Sequence, residues 1–314
     1  MAVPLAEVRR LINAGEAKKA LKELQALTPE TEPGRRAQIA LLYGVAYYHA
    51  DNPAKAVETL TPLLDQLPAD SIERREAEQV LGLALFVTGQ FADAVPRLEA
   101  TRRWAGDNLE LAYALGQAYI QTQRPDAARA VLASIYDVPA DSAAAHLIAA
   151  QTMIRLQVEA QAEGELTKAI EKDPRLPHAN FLLGQVALFR GRLPEAVALT
   201  ERELAVNPGN SMALAQLGDA LVRQSKWDEA IRALQKSIWL NPYYSAPYIL
   251  LGRAYSKKDQ PSTAEGMFRR AIEFDPNNRT AHYLLAQLLH QTGRVEEAKR
   301  EFEIAERLSG PQAR

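Results

Sequence analysis

The sequence predicts an all-α protein, a solenoid of about nine stacked helical hairpins, and three observations carry that prediction. A 34-residue period runs along the chain. An alanine recurs at one fixed place in every period. Most periods also read as two amphipathic stretches, several parted by a central glycine and closed by an Asp-Pro or Asn-Pro pair. A hairpin of this kind buries one face only, so its neighbours must cover the rest.

The period is plainest between Ser245 and Asn278, which holds Tyr248, Leu251, Gly252, Tyr255, Ala264, Phe268, Ala271 and Pro276. One period earlier the same places carry Leu214, Leu217, Gly218, Leu221, Ala230, Leu234, Ser237 and Pro242. Further steps give Leu183, Gly184, Ala196 and Pro208, then Ala150, Ala162 and Pro174, then Leu115, Gly116, Tyr119, Ala128 and Leu132. The recurring alanine is Ala20, Ala56, Ala94, Ala128, Ala162, Ala196, Ala230, Ala264 and Ala298. The repeats start near 1, 37, 75, 109, 143, 177, 211, 245 and 279. The first is degenerate and set off by Arg35 and Arg36, and Ser71 to Arg74 are extra after the second. A single domain spanning residues 1–314 is expected, because a solenoid grows by stacking rather than by splitting.

Within a unit, an amphipathic helix A leads into a helix B. In the eighth unit these run from about Ala246 to Lys258 and from about Pro261 to Phe274. Small residues at Gly252 and Ala264 permit close approach of the two helices, where a larger side chain would overpack. Asp173-Pro174, Asn207-Pro208, Asn241-Pro242 and Asp275-Pro276 close four successive B helices, since the residue before proline is driven out of the helical region. Gly15, Gly89, Gly191 and Gly293 mark inner turns, where a left-handed residue is often required. The last helix, Val295 to Leu308, carries Glu296, Glu297, Lys299, Arg300, Glu301, Glu303, Glu306 and Arg307 and reads as a solvent-facing cap. The hairpin from Pro4 to Leu27, rich in Lys and Glu, reads as the other cap.

The pattern of an aromatic, Leu-Gly, Tyr, then Ala, Phe, Ala and Pro resembles the tetratricopeptide repeat, over essentially the whole chain. The resemblance implies a right-handed superhelix whose A helices line a concave groove that takes a protein or peptide segment. Carried over by position, the ninth residue of each full repeat faces that groove: Val45, Leu83, Gln117, Gln151, Gln185, Asp219, Arg253 and Gln287. The fifth residue flanks it, giving Leu41, Gln79, Tyr113, Leu147, Phe181, Ala215, Ile249 and Tyr283. The thirteenth lies one turn on, giving His49, Val87, Gln121, Arg155, Phe189, Arg223, Lys257 and Gln291.

Two features stand out. Gln117, Gln151 and Gln185 form an amide ladder flanked by Tyr113 and Phe181. A carboxamide both donates and accepts, so it can pair with a peptide backbone whatever the side chains. Neighbouring inner helices lie about 8–10 Å apart and an extended chain advances about 3.3 Å per residue, so one rung serves about three ligand residues. The other reading is that glutamine is simply a good exposed helix residue. Second, the groove changes character, from Leu41, Val45, Tyr48, Leu83, Phe86 and Val87 to Asp219, Arg223, Arg253, Lys257 and Gln287. The apolar part reads either as a partner site or as packing between A helices. Arg253 and Lys257 read either as a seat for an acidic group or as solvated charge. The Lys, Asn, Asn, Lys, Arg set with which some tetratricopeptide domains grip a C-terminal carboxylate is missing.

The candidate peptide-groove residues are therefore Tyr113, Gln117, Leu147, Gln151, Phe181, Gln185, Asp219, Arg253, Lys257, Tyr283 and Gln287. Chemistry is not expected. With no cysteine, disulfides, thiolate metal sites and a cysteine nucleophile are excluded. The histidines are His49, His146, His178, His282 and His290, without an i, i+4 pair or a His-Glu-x-x-His stretch, so no metal site or cofactor is expected. His146 and His282 fall at the fourth repeat position, normally a packed aromatic, and read as core or half-buried. No phosphate loop or nucleophile elbow occurs. Lys plus Arg number 37 against 39 Asp plus Glu, without the basic excess that nucleic acid requires. Nothing approaches the ~18–20 apolar residues of a membrane span, and the N-terminus lacks a secretory pattern. The expectation is a cytoplasmic protein as given, an exported mature form being the alternative. Its expected role is a non-catalytic interaction scaffold or adaptor. The alternatives are a peptide-responsive sensor, or the interaction subunit of a larger enzyme or of an envelope or secretion assembly. Self-association through an incompletely capped end is a further option.

Overall fold

A computed structural model of the chain describes residues 5–27 and 32–309. Residues 1–4, with which the first repeat and its cap are expected to begin, lie outside the described residues. The described residues form eighteen α-helices and one short 3-10 turn at Leu64–Gln66, with no strand among them. The chain divides into two compact units, residues 1–161 and 162–314.

The first unit holds α1 (Leu5–Asn13) and α2 (Ala17–Gln25), α3 (Pro33–His49) and α4 (Pro53–Leu60), α5 (Ile72–Val87) and α6 (Phe91–Arg102), α7 (Leu109–Gln121) and α8 (Pro125–Ile135), and α9 (Ala143–Arg155). The boundary falls within α10 (Glu159–Lys172). The second unit continues with α11 (Ala179–Phe189) and α12 (Leu193–Val206), α13 (Ser211–Arg223) and α14 (Trp227–Leu240), α15 (Ser245–Lys257) and α16 (Pro261–Phe274), and α17 (Arg279–Gln291) and α18 (Val295–Arg307). Helix B of the eighth repeat thus has the limits read from the sequence, and helix A begins one residue earlier.

Apart from the capping Ser71, the residues outside the 34-residue register are helical. Ser71 caps α5 by accepting from the Arg74 N–H at 3.1 Å, and the Arg74 guanidinium donates to the Leu64 carbonyl at 2.7 Å. The extra residues therefore lengthen α5 to 16 residues against the 13 of α7. Arg35 and Arg36 likewise lie in the first turn of α3.

The repeat alanines are enclosed almost completely. Ala20, Ala56, Ala94, Ala128, Ala162, Ala196, Ala230 and Ala264 have no exposed surface, and Ala298 has 1%. Ala264 belongs to a core cluster with Phe268, Leu285, Leu288, Leu289 and Ala298. The closest approach of A to B is made by the glycines. A Cβ on Gly44, Gly116, Gly218 or Gly252 would come within 2.3–2.7 Å of Leu60, Leu132, Leu234 or Phe268. Gly252 thus faces Phe268, sixteen residues on, rather than Ala264. α18 fully buries only Ala298 and Ala305, as its charge pattern requires.

The inner turns repeat one backbone device. Gly15, Gly89, Gly191 and Gly293 have φ of 77°, 77°, 72° and 81°. Asp51, Gln123, Gln157, Ser225 and Asp259 hold the same place with φ of 58° to 62°. The N–H of the next residue reaches back to the carbonyl five positions earlier, as in Gln90 to Leu85 and Lys226 to Leu221, both at 2.9 Å. This is the Schellman closure of helix A. A side chain in this left-handed region costs about 1–2 kcal/mol that glycine avoids. Gln123→Gly is therefore expected to raise stability by about 1 kcal/mol in urea denaturation, although it removes a polar side chain.

Candidate functional site

Within the second unit, α13, α15 and α17 follow one another as A helices, and a cavity of about 220 Å³ opens among them. Its lining comes from Val222 on α13, Trp227 at the start of α14, Arg253, Ser256 and Lys257 on α15, Phe268 on α16, and Leu284, Gln287, Leu288 and Gln291 on α17. Phe268, Val222 and Leu288 are buried and form an apolar base. Trp227 is half-buried and packs against the core that includes Leu221, Leu234 and Leu251. Arg253 and Lys257 stand one turn apart at the rim and are exposed.

The neighbouring charges are paired. Arg223 grips Asp219 in a two-pronged pair at 2.9 Å, and Arg269 holds Glu265 at 2.7 Å. Lys258 is paired with Asp228, and Arg294 binds both Glu297 and Glu265 at 2.6 Å. Burial, and then the Asp219 carboxylate, push the Tyr244 phenol above its ordinary range. Neither Arg253 nor Lys257 has an ion-pair partner among the described residues. Gln287 donates to the Tyr283 hydroxyl at 3.2 Å, which leaves its carbonyl to accept.

The structure thus brings Arg253, Lys257 and Gln287 of the candidate set around one cavity. Tyr283 packs edge-on against Phe302 with ring centres 5.6 Å apart and is half-turned to solvent. Asp219 is engaged by Arg223. Phe181 differs from its expected place flanking the amide ladder: it is buried, with its ring edge-on to His178. Gln185 is exposed on α11 of this unit. In the first unit Gln117 is half-buried on α7, Gln151 is exposed on α9, and Leu147 is half-buried. Tyr113 is exposed, with the Arg155 guanidinium 5.8 Å from its ring centre. The apolar stretch of the expected groove is mostly core: Leu41, Val45 and Leu83 are buried, Tyr48 and Phe86 half-buried, and only Val87 stands out. The burial of Leu41, Val45 and Leu83 is what the packing alternative expects.

Trp227 and Ser256 lie outside the three positions read on helix A. Those positions pass over the first residue of helix B, where Trp227 lies. A tryptophan there, where the next repeat has Pro261, is the signal that could have exposed it.

The two histidines expected to be packed are buried. His282 places Nδ1 2.6 Å from Glu301 and Nε2 3.0 Å from the Pro276 carbonyl. The Tyr248 hydroxyl donates to the Pro242 carbonyl at 2.9 Å from the same repeat position, so the two side chains secure the inter-repeat turn alike. Among the described residues no group of three or more His, Asp or Glu side chains could hold a metal, and no helix is long and apolar enough to cross a membrane.

Comparison with known proteins agrees with the hairpin geometry. A family model described as a tetratricopeptide repeat matches residues 85–152 and 257–307. A second of the same description matches 160–211 and 182–244. A search of curated proteins gives no match. Among solved structures, a crystal structure of MamA is 22% identical and aligns over 51% of this chain and 94% of its own, with a TM-score of 0.46. MamA from residue 41 to its end, from Desulfovibrio magneticus RS-1, is 21% identical over 54% and 96%, with a TM-score of 0.49. A thermophilic tetratricopeptide protein of Thermus thermophilus is 19% identical over 52% and 90%, with a TM-score of 0.45. The two repeat models together match well over half of the chain, so the chain belongs to the tetratricopeptide repeat family.

Proposed function

We propose that this chain is a non-catalytic interaction scaffold that holds a peptide or protein segment against its A helices, with the cavity among α13, α15 and α17 as an anchor point. One observation supports this above the others. Two cations without ion-pair partners among the described residues and two amides converge on a concavity with an apolar base. Binding sites combine apolar lining with a few convergent polar groups in this way. At about 220 Å³ the cavity suits a side chain better than a cofactor, since small-molecule sites run to about 300–1,000 Å³. In the first unit the exposed amide of Gln151 and the half-exposed one of Gln117 offer a second, sequence-tolerant contact surface.

Photo-crosslinking in the native host tests the reading. A crosslinking residue at Ser256 or Gln291 is expected to capture a partner, and one at Glu229 on α14 is not. Capture should fall several-fold in a variant carrying Arg253→Gln with Lys257→Gln, and less in one carrying Gln117→Ala, Gln151→Ala and Gln185→Ala. Equal capture from α14, untouched by either set of changes, would remove the A-helix face from consideration.

A further inference from the structure

The chemistry of that anchor is specific enough to name what enters it. Resting on the scaffold reading above, we infer that the cavity takes one bulky apolar side chain of an internal peptide segment, while Arg253 and Lys257 hold the carboxylate of an adjoining Asp or Glu. The apolar half of the inference follows from volume and lining. A cavity of about 150 Å³ lined by aliphatic and aromatic groups accepts a benzene ring. One of about 220 Å³, based on Phe268, Val222, Leu288 and Trp227, therefore has room for a Leu, Met or Phe side chain.

The acidic half follows from the charge census. The Asp219, Asp228, Glu265 and Glu297 carboxylates of this unit are engaged by Arg223, Lys258, Arg269 and Arg294. Arg253 and Lys257 stand apart as two like charges at i and i+4, a spacing at which they repel across about 5–6 Å. An anion between them relieves that repulsion and gains charge-assisted hydrogen bonds. The guanidinium can fork onto both carboxylate oxygens, and the ammonium adds a point charge.

The amides place the carboxylate on a side chain rather than at a chain end. Gln287 and Gln291 lie on α17, one repeat beyond the cations on α15, and Trp227 opens α14, one repeat before. A segment that fills the apolar base beside Trp227 and also pairs its backbone with both glutamines continues past the acidic residue. The amides thereby give the backbone sites to donate to and accept from on the far side of the anchor.

Selection from two random heptapeptide libraries tests this. One displays the heptapeptide between fixed flanks, and the other displays it with a free C-terminus. The full chain is expected to enrich, from the flanked library, peptides with Leu, Met or Phe within two positions of Asp or Glu. Replacing that acid with its amide in a synthetic, end-capped peptide is expected to weaken binding about tenfold. The variant carrying Arg253→Gln with Lys257→Gln should lose the acid preference yet keep the apolar one. Ser256→Leu, which fills the cavity, should do the reverse, with the helical circular dichroism and melting of both variants unchanged. Peptides enriched without an acid preference, or unaffected by the loss of both cations, overturn the inference while leaving the scaffold reading intact. Enrichment from the free C-terminus library alone overturns it in favour of a chain-end reader. If neither library yields peptides, the scaffold reading falls as well.

Discussion

Gly252→Ala is expected to destabilise the second unit by about 1–3 kcal/mol, although alanine is the better helix former. The added methyl would lie 2.4, 2.6 and 2.8 Å from Cε1, Cδ1 and Cζ of Phe268. Phe268 is 2% exposed and is held in a core cluster with Ala264, Leu285, Leu288, Leu289 and Ala298. Two backbones must therefore part, or the ring must leave its well. Ala150 and Ala286 hold the same repeat position and are completely buried, so the cost at Gly252 belongs to its fit with Phe268 rather than to a ban on methyl groups there. A double-mutant cycle isolates the effect. Phe268→Ala alone should cost about 3–5 kcal/mol through the space it empties. In that background Gly252→Ala should be neutral or stabilising by up to about 1 kcal/mol, the helix-propensity gain. Urea denaturation followed by circular dichroism reads the four corners. An equal cost in both backgrounds would show that the two residues are not coupled.

Glu203→Ala is expected to cost about 2–4 kcal/mol, the opposite of what repeat consensus suggests. At this position other repeats carry Ala169, Ala271 and Ala305, and consensus changes commonly stabilise. Glu203 has a separate task. α7, α9, α13 and α17 are capped by Asn108, Ser142, Asn210 and Asn278, each accepting from the backbone N–H three residues on. The equivalent residue ahead of α11 is Leu176, and the helix begins only after His178, whose φ is 69°. No side chain of that turn caps it. The carboxylate of Glu203, fully buried on α12, takes over by accepting from the His178 N–H at 3.1 Å and the Phe181 N–H at 3.4 Å. Removing it strands donors worth about 1–3 kcal/mol each. Glu203→Gln, which keeps one acceptor oxygen, should lie between. Faster amide exchange at Phe181 in the alanine variant is the local signature to look for. Unchanged exchange there would mean that the loss of stability arises elsewhere.

The same repeat illustrates how far local pattern carries. Thr200 replaces the Leu or Phe that faces the helix A glycine in other hairpins, and the Gln216 amide fills the gap, donating to Thr200 at 2.8 Å and to the Phe181 carbonyl at 3.1 Å. Each substitution alone reads as a flaw in the repeat. Together with Glu203 they form a polar core joining α11, α12 and α13. Reading one helix face at a time does not connect residues 35 positions apart.

By itself the sequence determined the hairpins, their order and their closures. The period places Gly15, Gly89, Gly191 and Gly293 at the left-handed turns and nine alanines inside the core, because these demands arise within one hairpin or at its fixed contact with the next. Only the tertiary structure decided which of the inner-face residues remain in reach of a partner. Leu41, Val45, Leu83 and Phe181 share their repeat positions with Arg253 and Tyr283, yet the first four are covered and the last two are not. Exposure is set by the bulk of side chains arriving from neighbouring helices, and that sum over several repeats is not written in the spacing of any one of them.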